Sequence, residues 1–370
     1  MNFEFSEEQN LLREQARGFL NDNCSTKAVR RILDGDESYD QDLWRQIIDM
    51  GWTAAAIPEE YDGLGLSYLE LSVIAEELGR AYAPVPFSSS VYLATEAIMA
   101  SGSKDQKEAW LPKLAAGAAI GCFAVAEGAG QVSPAGIKAS VTNGEITGSK
   151  LPVADGDIAD FSVVIAKHGK DVSAYLVDLT ASGVSRETVT TLDPTRSHAK
   201  IDFSGATAEL LGAVGEGWSL VEKIYDRAAI LFAWEQVGGS DTALDMAKEY
   251  ALGRFAFGRP IASYQAIKHK LVNIYVKNTL ARANCYYGSW ALSTDAAELP
   301  IAAAAARVAG IQAYYFASKE NIQTHGGMGF TWEFDCQIPY RRSKILAVNI
   351  GSEATWQEKL IAAIETDRAA

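Results

Sequence analysis

The residue pattern of this chain of 370 residues changes its period twice. Up to about residue 118, apolar side chains recur at the spacing of one face of an α-helix. From Gly121 to Gly212, short runs rich in Val, Ile and Thr alternate with glycine-containing turns, as β-strands do. After Gly217 the helical spacing returns in longer runs. The sequence therefore predicts an α+β protein in which a β-rich segment separates two helical ones.

This order of patterns predicts three domains. They are a helical domain over residues 1–118, an antiparallel β domain over 119–213 and a second helical domain over 214–370. A chain of this length exceeds a single compact core, so two or three packed units are expected.

Several local patterns predict where individual elements begin and turn. Ser6 and Gln9 form a capping-box pattern before the first helix. Asn143 and Gly144 are typical of a tight β-hairpin turn. The helices are predicted at residues 43–50, 69–79, 90–101, 104–115, 220–252, 264–294, 301–326 and 352–363.

One stretch between two helical patterns, YALGRFAFGRPIASYQAIKHKLVNI at residues 250–274, contains residues that helices alone do not need. The guanidinium of Arg254 can donate two parallel hydrogen bonds to phosphate oxygens. Gly258 and Pro260 end one helix and direct the chain into the next. Gln265 opens that next helix with an amide that both donates and accepts. The combination indicates a binding site.

A second stretch, NIQTHGGMGFTWE at residues 321–333, has three glycines within four positions. Glycines without a Cβ let backbone amides approach a ligand closely. Together with residues 5–9 (FSEEQ) and 57–84 (IPEEYDGLGLSYLELSVIAEELGRAYAP), the two stretches make the chain resemble the acyl-CoA dehydrogenase family. The resemblance runs nearly from end to end.

The resemblance implies the fold of that family, with an N-terminal helical domain, a middle β-barrel domain and a C-terminal four-helix bundle. It also implies FAD as the cofactor. No metal is expected, because neither the four cysteines nor the four histidines show a spacing typical of metal ligands. In the family, the first motif grips the pyrophosphate region of the FAD in the neighbouring subunit, and the second covers its adenosine end. The cofactor contacts implied for this chain are Arg254, Phe257, Gln265, Gln323, Gly326 and Gly327.

Each of these residues also has an ordinary structural interpretation. Arg254 could form a salt bridge on a helix surface, Gln265 could cap a helix, and Phe257 could belong to the core. Gly326 and Gly327 could simply end a helix, which is compatible with a cofactor contact.

The reaction implied by the resemblance requires a carboxylate that removes an α-proton while a hydride passes to flavin. Aligning the usual late motif of the family on residues 341–345 places Ile350, which cannot accept a proton, where a glutamate is usual. A branch of the family instead has its base directly before an arginine on the first long C-terminal helix. That position is Asp226, followed by the apolar run 228–234, where burial would raise the pKa of a carboxylate. The alternative is an ion pair with Arg227.

Two other carboxylates are weaker candidates for the base. Glu353 is expected in the solvated first turn of the last helix, where a negative charge suits the helix dipole. Glu235 follows Asp226 by nine positions and therefore faces the opposite side of the helix. Asp226 is the predicted base, and the backbone amide of Ile350 can still serve the thioester oxygen.

The β-rich segment departs from the family pattern where flavin contacts are usual. It reads AEG at residues 126–128, where the family commonly has Thr-Glu-Pro, and PVA at 152–154, where an aromatic residue followed by Ile-Thr is common. Either backbone groups hold the flavin, or the chain is one half of a heteromeric enzyme and lends Arg254 and Gln265 to its partner.

The resemblance thus implies a FAD-dependent enzyme that converts an acyl-CoA thioester to a trans-2-enoyl-CoA, as in the β-oxidation of fatty acids and other lipids. The electrons would pass to an electron-transfer flavoprotein. The alternative is a non-catalytic subunit that completes the FAD site of a homologous subunit. A third possibility keeps the flavin and changes the chemistry, as in oxidases on the same fold. Because Arg254, Gln265 and Gln323 are expected on a neighbour's cofactor, a homo- or hetero-oligomer, a dimer or tetramer, is expected. The sequence leaves the acyl group open.

The composition limits which binding partners the protein can have and in which cellular compartment it is expected. A net charge of -14 opposes binding to nucleic acid and to anionic membranes. No apolar run approaches the roughly 20 residues of a membrane-spanning helix, and the acidic first residues lack a signal-peptide pattern. A cytoplasmic location is expected, because the cysteines show no disulfide or metal spacing. They are Cys24, Cys122, Cys285 and Cys336.

Overall fold

The computed structural model describes residues 5–369, with side chains for residues 5–366. The first four residues of the expected N-terminal domain, on which the signal-peptide prediction partly rests, and Ala370 lie outside the described residues. Within them the chain forms eleven α-helices and ten β-strands. Their order is helical, then β-rich, then helical, as the sequence predicts.

The first helix begins at the predicted capping box. The Ser6 hydroxyl accepts from the Gln9 amide at 3.2 Å, and the Gln9 side chain accepts from the Ser6 amide at 2.9 Å. Ser103 and Gln106 make the same pair of bonds at the start of a later helix. The helices of this segment are α1 Glu7–Asn23, α2 Thr26–Leu33, α3 Gln41–Asp49, α4 Tyr68–Arg80, α5 Glu96–Ser101 and α6 Lys104–Ala115.

The predicted helix over residues 90–101 differs from an ordinary α-helix. It begins as a π-helix, Ser88–Thr95, whose eight residues are all buried, and continues as α5. The π-helix packs closely on the first strand, because a Cβ added at Gly121 would lie 2.6 Å from the Cβ of Ala94. A fully buried segment has no polar face to mark its period, so the sequence pattern could not reveal the wider turn.

The β-rich segment forms one eight-stranded sheet in the order β6-β7-β3-β2-β4-β5-β8, with β1 beside β4. The predicted hairpin turn is present, with positive φ values of 52° at Asn143 and 80° at Gly144. Most pairs are antiparallel as predicted, but β1 and β2 both run parallel to β4. The strands are β1 Gly121–Ala124, β2 Ser140–Thr142, β3 Glu145–Ala154, β4 Phe161–His168, β5 Asp171–Asp178, β6 Val184–Thr188, β7 His198–Thr207 and β8 Glu209–Leu211.

Long helices dominate the C-terminal segment, as predicted. The part of α7 from Ala229 onward packs against two of them: a Cβ added at Gly288 would meet the side chain of Ile230 at 2.3 Å, and one at Gly310 would lie 3.3 Å from Ala233. A short helix, α10, and a small hairpin were not predicted. The elements are α7 Gly217–Gly253, β9 Phe255–Ala256, β10 Arg259–Pro260, α8 Gln265–Ser293, α9 Leu299–His325, α10 Gln337–Leu346 and α11 Glu353–Ala369.

The chain divides into two compact units, neither of which is continuous in sequence. The first unit contains the residues up to Arg30, Tyr68–Ala83 and those from Ala229 onward; the second contains Arg31–Ser67 and Pro84–Ala228. The first unit therefore combines α1 and α4 with the C-terminal helices, and the second combines α3, α5 and α6 with the sheet. The three-domain division at residues 118 and 213 stays a prediction.

Paired charges tie α4 to its neighbours inside the first unit. Glu76 accepts from Arg282 on α8 at 2.5 Å and forms an ion pair with Arg13 on α1 at 3.4 Å. Arg17 donates two hydrogen bonds to Glu77 at 2.9 and 2.7 Å. Burial alone would raise the pKa of Glu76, but the arginines outweigh it and hold the pKa below its usual value.

Candidate active site

The motif at residues 250–274 folds as a hairpin between α7 and α8. Strands β9 and β10 pair so that Arg259 lies opposite Ala256. Phe257 and Gly258 between them form a two-residue turn. Both turn residues have positive φ, 53° and 80°, as a hairpin turn of this kind requires. The hydroxyl of Tyr264 donates to the carbonyl of Ala256 at 2.9 Å and fixes the hairpin against the start of α8.

Phe257 lies at the tip of this hairpin and is 97% exposed. The alternative that it belongs to the core is therefore wrong for this chain. A positive φ is unusual for a bulky side chain and is costly unless the surroundings favour it. Backbone conformations of this kind cluster at ligand-binding sites, and the exposed ring is available for such a contact.

Arg254 and Gln265 both present their side chains to solvent. Arg254 follows the last residue of α7, and its amide donates to the carbonyl of Tyr250 at 2.8 Å. Among the side chains of residues 5–366, no carboxylate forms an ion pair with Arg254, so the surface salt bridge considered for it is not made there. Gln265 is the first residue of α8, and the capping position is Tyr264, so Gln265 does not act as the cap.

The motif at residues 321–333 contains the last turn of α9 and the glycine turn that follows it. Gln323 is exposed, and Gly326, with φ 60°, is the C-terminal cap. The helix-end interpretation is therefore correct, and it leaves the cofactor interpretation open. A Cβ added at Gly326 or Gly327 would meet nothing within 4 Å, so the surface above both glycines is open.

An aromatic cluster that the sequence did not reveal connects the two motifs. The ring of Tyr250, near the end of α7, stacks on the ring of His325, the last residue of α9, with centroids 4.1 Å apart. Phe334 lies edge-on to His325 at 5.8 Å. The cluster brings together two glycine-containing turns that lie about seventy positions apart in the sequence.

Asp226 lies on α7 in the second unit and is 8% exposed. Arg227, the partner considered for it in the alternative interpretation, places its Nε 2.8 Å from a carboxylate oxygen of Glu96. The side chains of Arg227 and Glu96 are 12% and 3% exposed. The guanidinium beside the predicted base is therefore bound by a carboxylate from α5.

The weaker candidates for the base, and Ile350, lie in different surroundings. Glu353 is exposed at the start of α11 and accepts from Gln312 at 2.7 Å, as expected for the first turn of a helix. Glu235 is completely buried, in the first unit. Ile350 is 2% exposed, and its carbonyl accepts from the indole of Trp356 at 3.2 Å.

A buried ion pair holds the region where the sequence departs from the family's flavin contacts. Lys150 is fully buried and donates to Glu127 at 2.7 Å and to the carbonyl of Val125 at 3.0 Å. Glu127 also accepts from the amides of Lys138 and Ala139 at 2.8 and 3.0 Å. Burial would raise the pKa of Glu127, but these hydrogen bonds outweigh it and lower the pKa.

Backbone groups of the same region already have protein partners. The carbonyl of Ala126 accepts from the amide of Leu151 at 2.9 Å, and the amide of Gly128 donates to the carbonyl of Leu151 at 2.8 Å. Val153 is buried and Ala154 is partly buried, and neither offers a hydroxyl. A flavin at this place would have to use other backbone groups.

Neither a metal-binding cluster nor a membrane-spanning helix is found in the described part of the chain. Residues 5–369 contain no group of three or more His, Cys, Asp or Glu side chains arranged to hold a metal ion. All four cysteines are buried, and no disulfide joins them. No helix in this part combines the length and the apolar character that crossing a membrane requires.

Solved structures define the fold class. The structure of butyryl-CoA dehydrogenase from Megasphaera elsdenii matches with a TM-score of 0.91 at 23% identity, over 98% of this chain and all of the other. The ChsE4-ChsE5 complex from Mycobacterium tuberculosis matches with a TM-score of 0.90 at 24% identity, over 99% of each chain. An acyl-CoA dehydrogenase from Bacillus anthracis complexed with FAD matches with a TM-score of 0.91 at 24% identity, over 99% of this chain and 68% of that chain. The fold is that of the acyl-CoA dehydrogenases.

Sequence comparison then gives the family. Residues 6–118 match the acyl-CoA dehydrogenase N-terminal domain, and residues 215–364 match the acyl-CoA dehydrogenase C-terminal domain. The acyl-CoA dehydrogenase IpdE2 of Mycobacterium tuberculosis is 33% identical over 91% of each chain. The chain belongs to the acyl-CoA dehydrogenase family, as its motifs indicated.

Proposed function

We propose that this chain is a FAD-dependent acyl-CoA dehydrogenase that converts an acyl-CoA thioester to the trans-2-enoyl-CoA. The observation that carries the proposal is a buried carboxylate, Asp226, placed directly before Arg227 on the first long helix of the C-terminal segment. Asp226 removes the proton from the α-carbon of the thioester. Bound FAD supplies the acceptor for the hydride of the β-carbon.

The surroundings of Asp226 support its role as the base. A buried carboxylate is a stronger base than an exposed one, because burial disfavours its charged form. Arg227, the residue after Asp226, is bound by the carboxylate of Glu96 at 2.8 Å. Of the other carboxylates considered, Glu353 lies at the surface and accepts a hydrogen bond from Gln312.

The donor groups of the first unit fit the phosphates and the adenosine of FAD. The guanidinium of Arg254 is exposed and free of carboxylates among the described side chains, which suits a bidentate contact with phosphate. Gln265 and Gln323 present exposed amides, and Gly326 and Gly327 leave open backbone. We assign these residues, with Phe257, to the FAD of a neighbouring subunit.

A site shared in this way requires an oligomer. We propose a dimer or tetramer, formed with copies of this chain or with a homologous subunit, and an electron-transfer flavoprotein as the electron acceptor. The exposed ring of Phe257 at the hairpin tip is available for a contact with a neighbouring subunit. A cytoplasmic location and a role in the β-oxidation of lipids belong to the same proposal.

A second candidate is a non-catalytic subunit that completes the FAD site of a homologous partner. Three observations favour it. The segment at residues 152–154 lacks the side chains that usually contact flavin, and Ile350 replaces the usual glutamate. The matched ChsE4-ChsE5 structure is a complex of two different chains.

The first experiment is an absorbance spectrum of the purified chain after incubation with excess FAD, followed by the mass of the assembly. About one flavin per chain supports a self-sufficient enzyme. Straight, branched, aromatic and steroid-derived acyl-CoA thioesters are then tested for bleaching of the flavin band. Asp226→Asn should keep the band and slow the bleaching about 100-fold or more, since it removes the base.

Glu353→Gln is the matched control and should bleach at the unaltered rate. Bleaching of Asp226→Asn at the unaltered rate contradicts the assignment of the base. A chain that stays colourless alone and gains flavin only with a co-purified homologous chain favours the second candidate.

A further inference from the structure

The two predicted FAD motifs meet at a pair of stacked rings in the first unit. Tyr250 and His325 stack with centroids 4.1 Å apart and an angle of 28° between the rings. The carbonyl of Tyr250 receives the amide of Arg254 at 2.8 Å, and Gly326 follows His325 directly in the chain. Each ring is therefore attached to the backbone of one motif.

We propose that His325 is a positioning residue for FAD, which sets the glycine turn at Gly326 and Gly327 relative to the hairpin that carries Arg254. The inference rests on the proposed function, because it concerns how this chain binds FAD. It assigns a role to a side chain that need not touch the cofactor.

Three contacts fix the orientation of the His325 ring. Its Nδ1 lies 2.9 Å from the carbonyl of Asn321, and because a carbonyl can only accept, Nδ1 carries the proton. Tyr250 covers one face of the ring, and Phe334 lies edge-on at 5.8 Å. A ring that is both stacked and hydrogen-bonded has one preferred orientation, so the peptide that follows it is oriented too.

His325 is 6% exposed. Burial lowers the pKa of this imidazole, against the hydrogen bond to Asn321, which raises it. The stack is therefore formed with a neutral ring near neutral pH.

The far end of the glycine turn is fixed separately. A Cβ added at Gly329 would lie 2.3 Å from the carbonyl of Ile322, so the turn folds tightly back on the last turns of α9. The thiol of Cys336 donates to the carbonyl of Gly329 at 3.4 Å. With Gly329 held at one end, the His325 ring is the element that sets the other end, where Gly326 has φ 60°.

The ring contacts and the hydrogen bond of His325 can be removed separately. His325→Ala removes both, His325→Phe keeps a ring and removes the hydrogen bond, and Tyr250→Phe keeps the stack. The measurement is the FAD dissociation constant of the apoprotein, in the assembly in which it binds FAD, by flavin fluorescence. The midpoint of thermal unfolding without FAD is measured on the same samples.

We expect His325→Ala to weaken FAD binding roughly 10-fold, since a stacked pair and a buried hydrogen bond are both lost. His325→Phe should lie between this variant and the unaltered protein, and Tyr250→Phe should bind FAD normally. Leu20→Ala, a core change in α1 at a residue that is 2% exposed, is the control for loss of stability alone. It should lower the unfolding midpoint and leave the FAD dissociation constant unchanged.

The inference is overturned if His325→Ala and His325→Phe bind FAD within about twofold of the unaltered protein, or if Leu20→Ala weakens FAD binding as much as they do. If His325→Ala does not fold, His325→Phe decides the question. Failure of the unaltered protein to bind FAD, alone or with a homologous subunit, overturns the proposed function, and this inference with it.

Discussion

Lys150 shows how a single side chain can hold a region together in the second unit. Its ammonium group is fully buried and has two partners, Glu127 and the carbonyl of Val125. Burial lowers the pKa of Lys150, and the bond to Glu127 opposes that effect. A charge without its partner at this depth would be strongly destabilising.

Replacing Lys150 by Met should therefore destabilise the fold by about 3 kcal/mol, because it leaves the Glu127 carboxylate without its cation. Thermal unfolding should show a lower midpoint. The double variant Lys150→Met with Glu127→Gln should recover part of the loss, since neither charge remains. Equal midpoints for the single and the double variant would show that the pair is not coupled.

His198 provides a test of pH dependence in the same unit. Burial lowers the pKa of His198, and the charge of Arg196 lowers it further. The hydrogen bond to the Arg196 carbonyl and the charges of Asp157 and Asp193 act in the opposite direction but do not outweigh burial. In the unfolded chain an imidazole has a pKa of about 6.5. Below about pH 6.5 the unfolded state therefore binds more protons than the folded state. The free energy of unfolding keeps its full value above that pH and decreases as the pH falls below it.

We expect the midpoint of thermal unfolding to fall between about pH 7 and about pH 5, and His198→Gln to make this fall smaller. His269→Gln, at an exposed position on α8, is the control and should not change the slope. A slope that is the same in His198→Gln and in the unaltered protein would contradict the assignment.

At the scale of elements, the crossing of α4 and α7 in the first unit depends on two glycines. A Cβ added at Gly79 would lie 2.1 Å from the carbonyl oxygen of Glu235, and one at Gly238 would lie 2.0 Å from that of Glu76. The atoms they meet belong to the backbone and cannot turn away. The two helices therefore approach closely only because both positions lack a side chain.

Gly79→Ala and Gly238→Ala should each destabilise the fold by about 3 kcal/mol or more, since the helices must move apart. Gly18→Ala in α1 is the matched control, because an added methyl group there meets nothing within 4 Å. It should stabilise the protein by about 0.5–1 kcal/mol through better helix propensity. Denaturant unfolding of the three variants measures the difference, and a stable Gly79→Ala protein would contradict the close crossing.

At the scale of the whole molecule, one face of α8 carries apolar side chains that the chain itself does not cover. Val272, Tyr275 and Leu280 are 55%, 63% and 61% exposed, and Val276 is 46% exposed. They recur at the spacing of one helix face. Exposed apolar side chains arranged in this way are typical of an interface with another subunit.

The double variant Val276→Glu with Leu280→Glu should reduce the mass of the assembly, because two charges would be buried without partners. It should lose FAD at the same time if the FAD site is shared between subunits. Leu11→Glu, at a position on α1 that is 55% exposed, is the control and should keep both the mass and the flavin. Native mass spectrometry distinguishes these outcomes, and a double variant of unchanged mass would exclude this face as the interface.

The sequence by itself determined the local structure. Ser6 with Gln9 fixed the start of α1, and Asn143 with Gly144 fixed a hairpin, because such residues specify backbone conformations over a few positions. The order of helical and β patterns, and motifs such as that around Arg254, were sufficient to predict the family.

The tertiary structure alone decided which distant residues meet. The stack of Tyr250 on His325, the bond of Lys150 to Glu127 and the parallel pairing of β1 with β4 join residues far apart in the chain. The π-helix Ser88–Thr95 packs closely against β1. Local sequence sets the period and the turns of a chain, whereas long-range contacts depend on how the elements fill space together, and no short pattern encodes that.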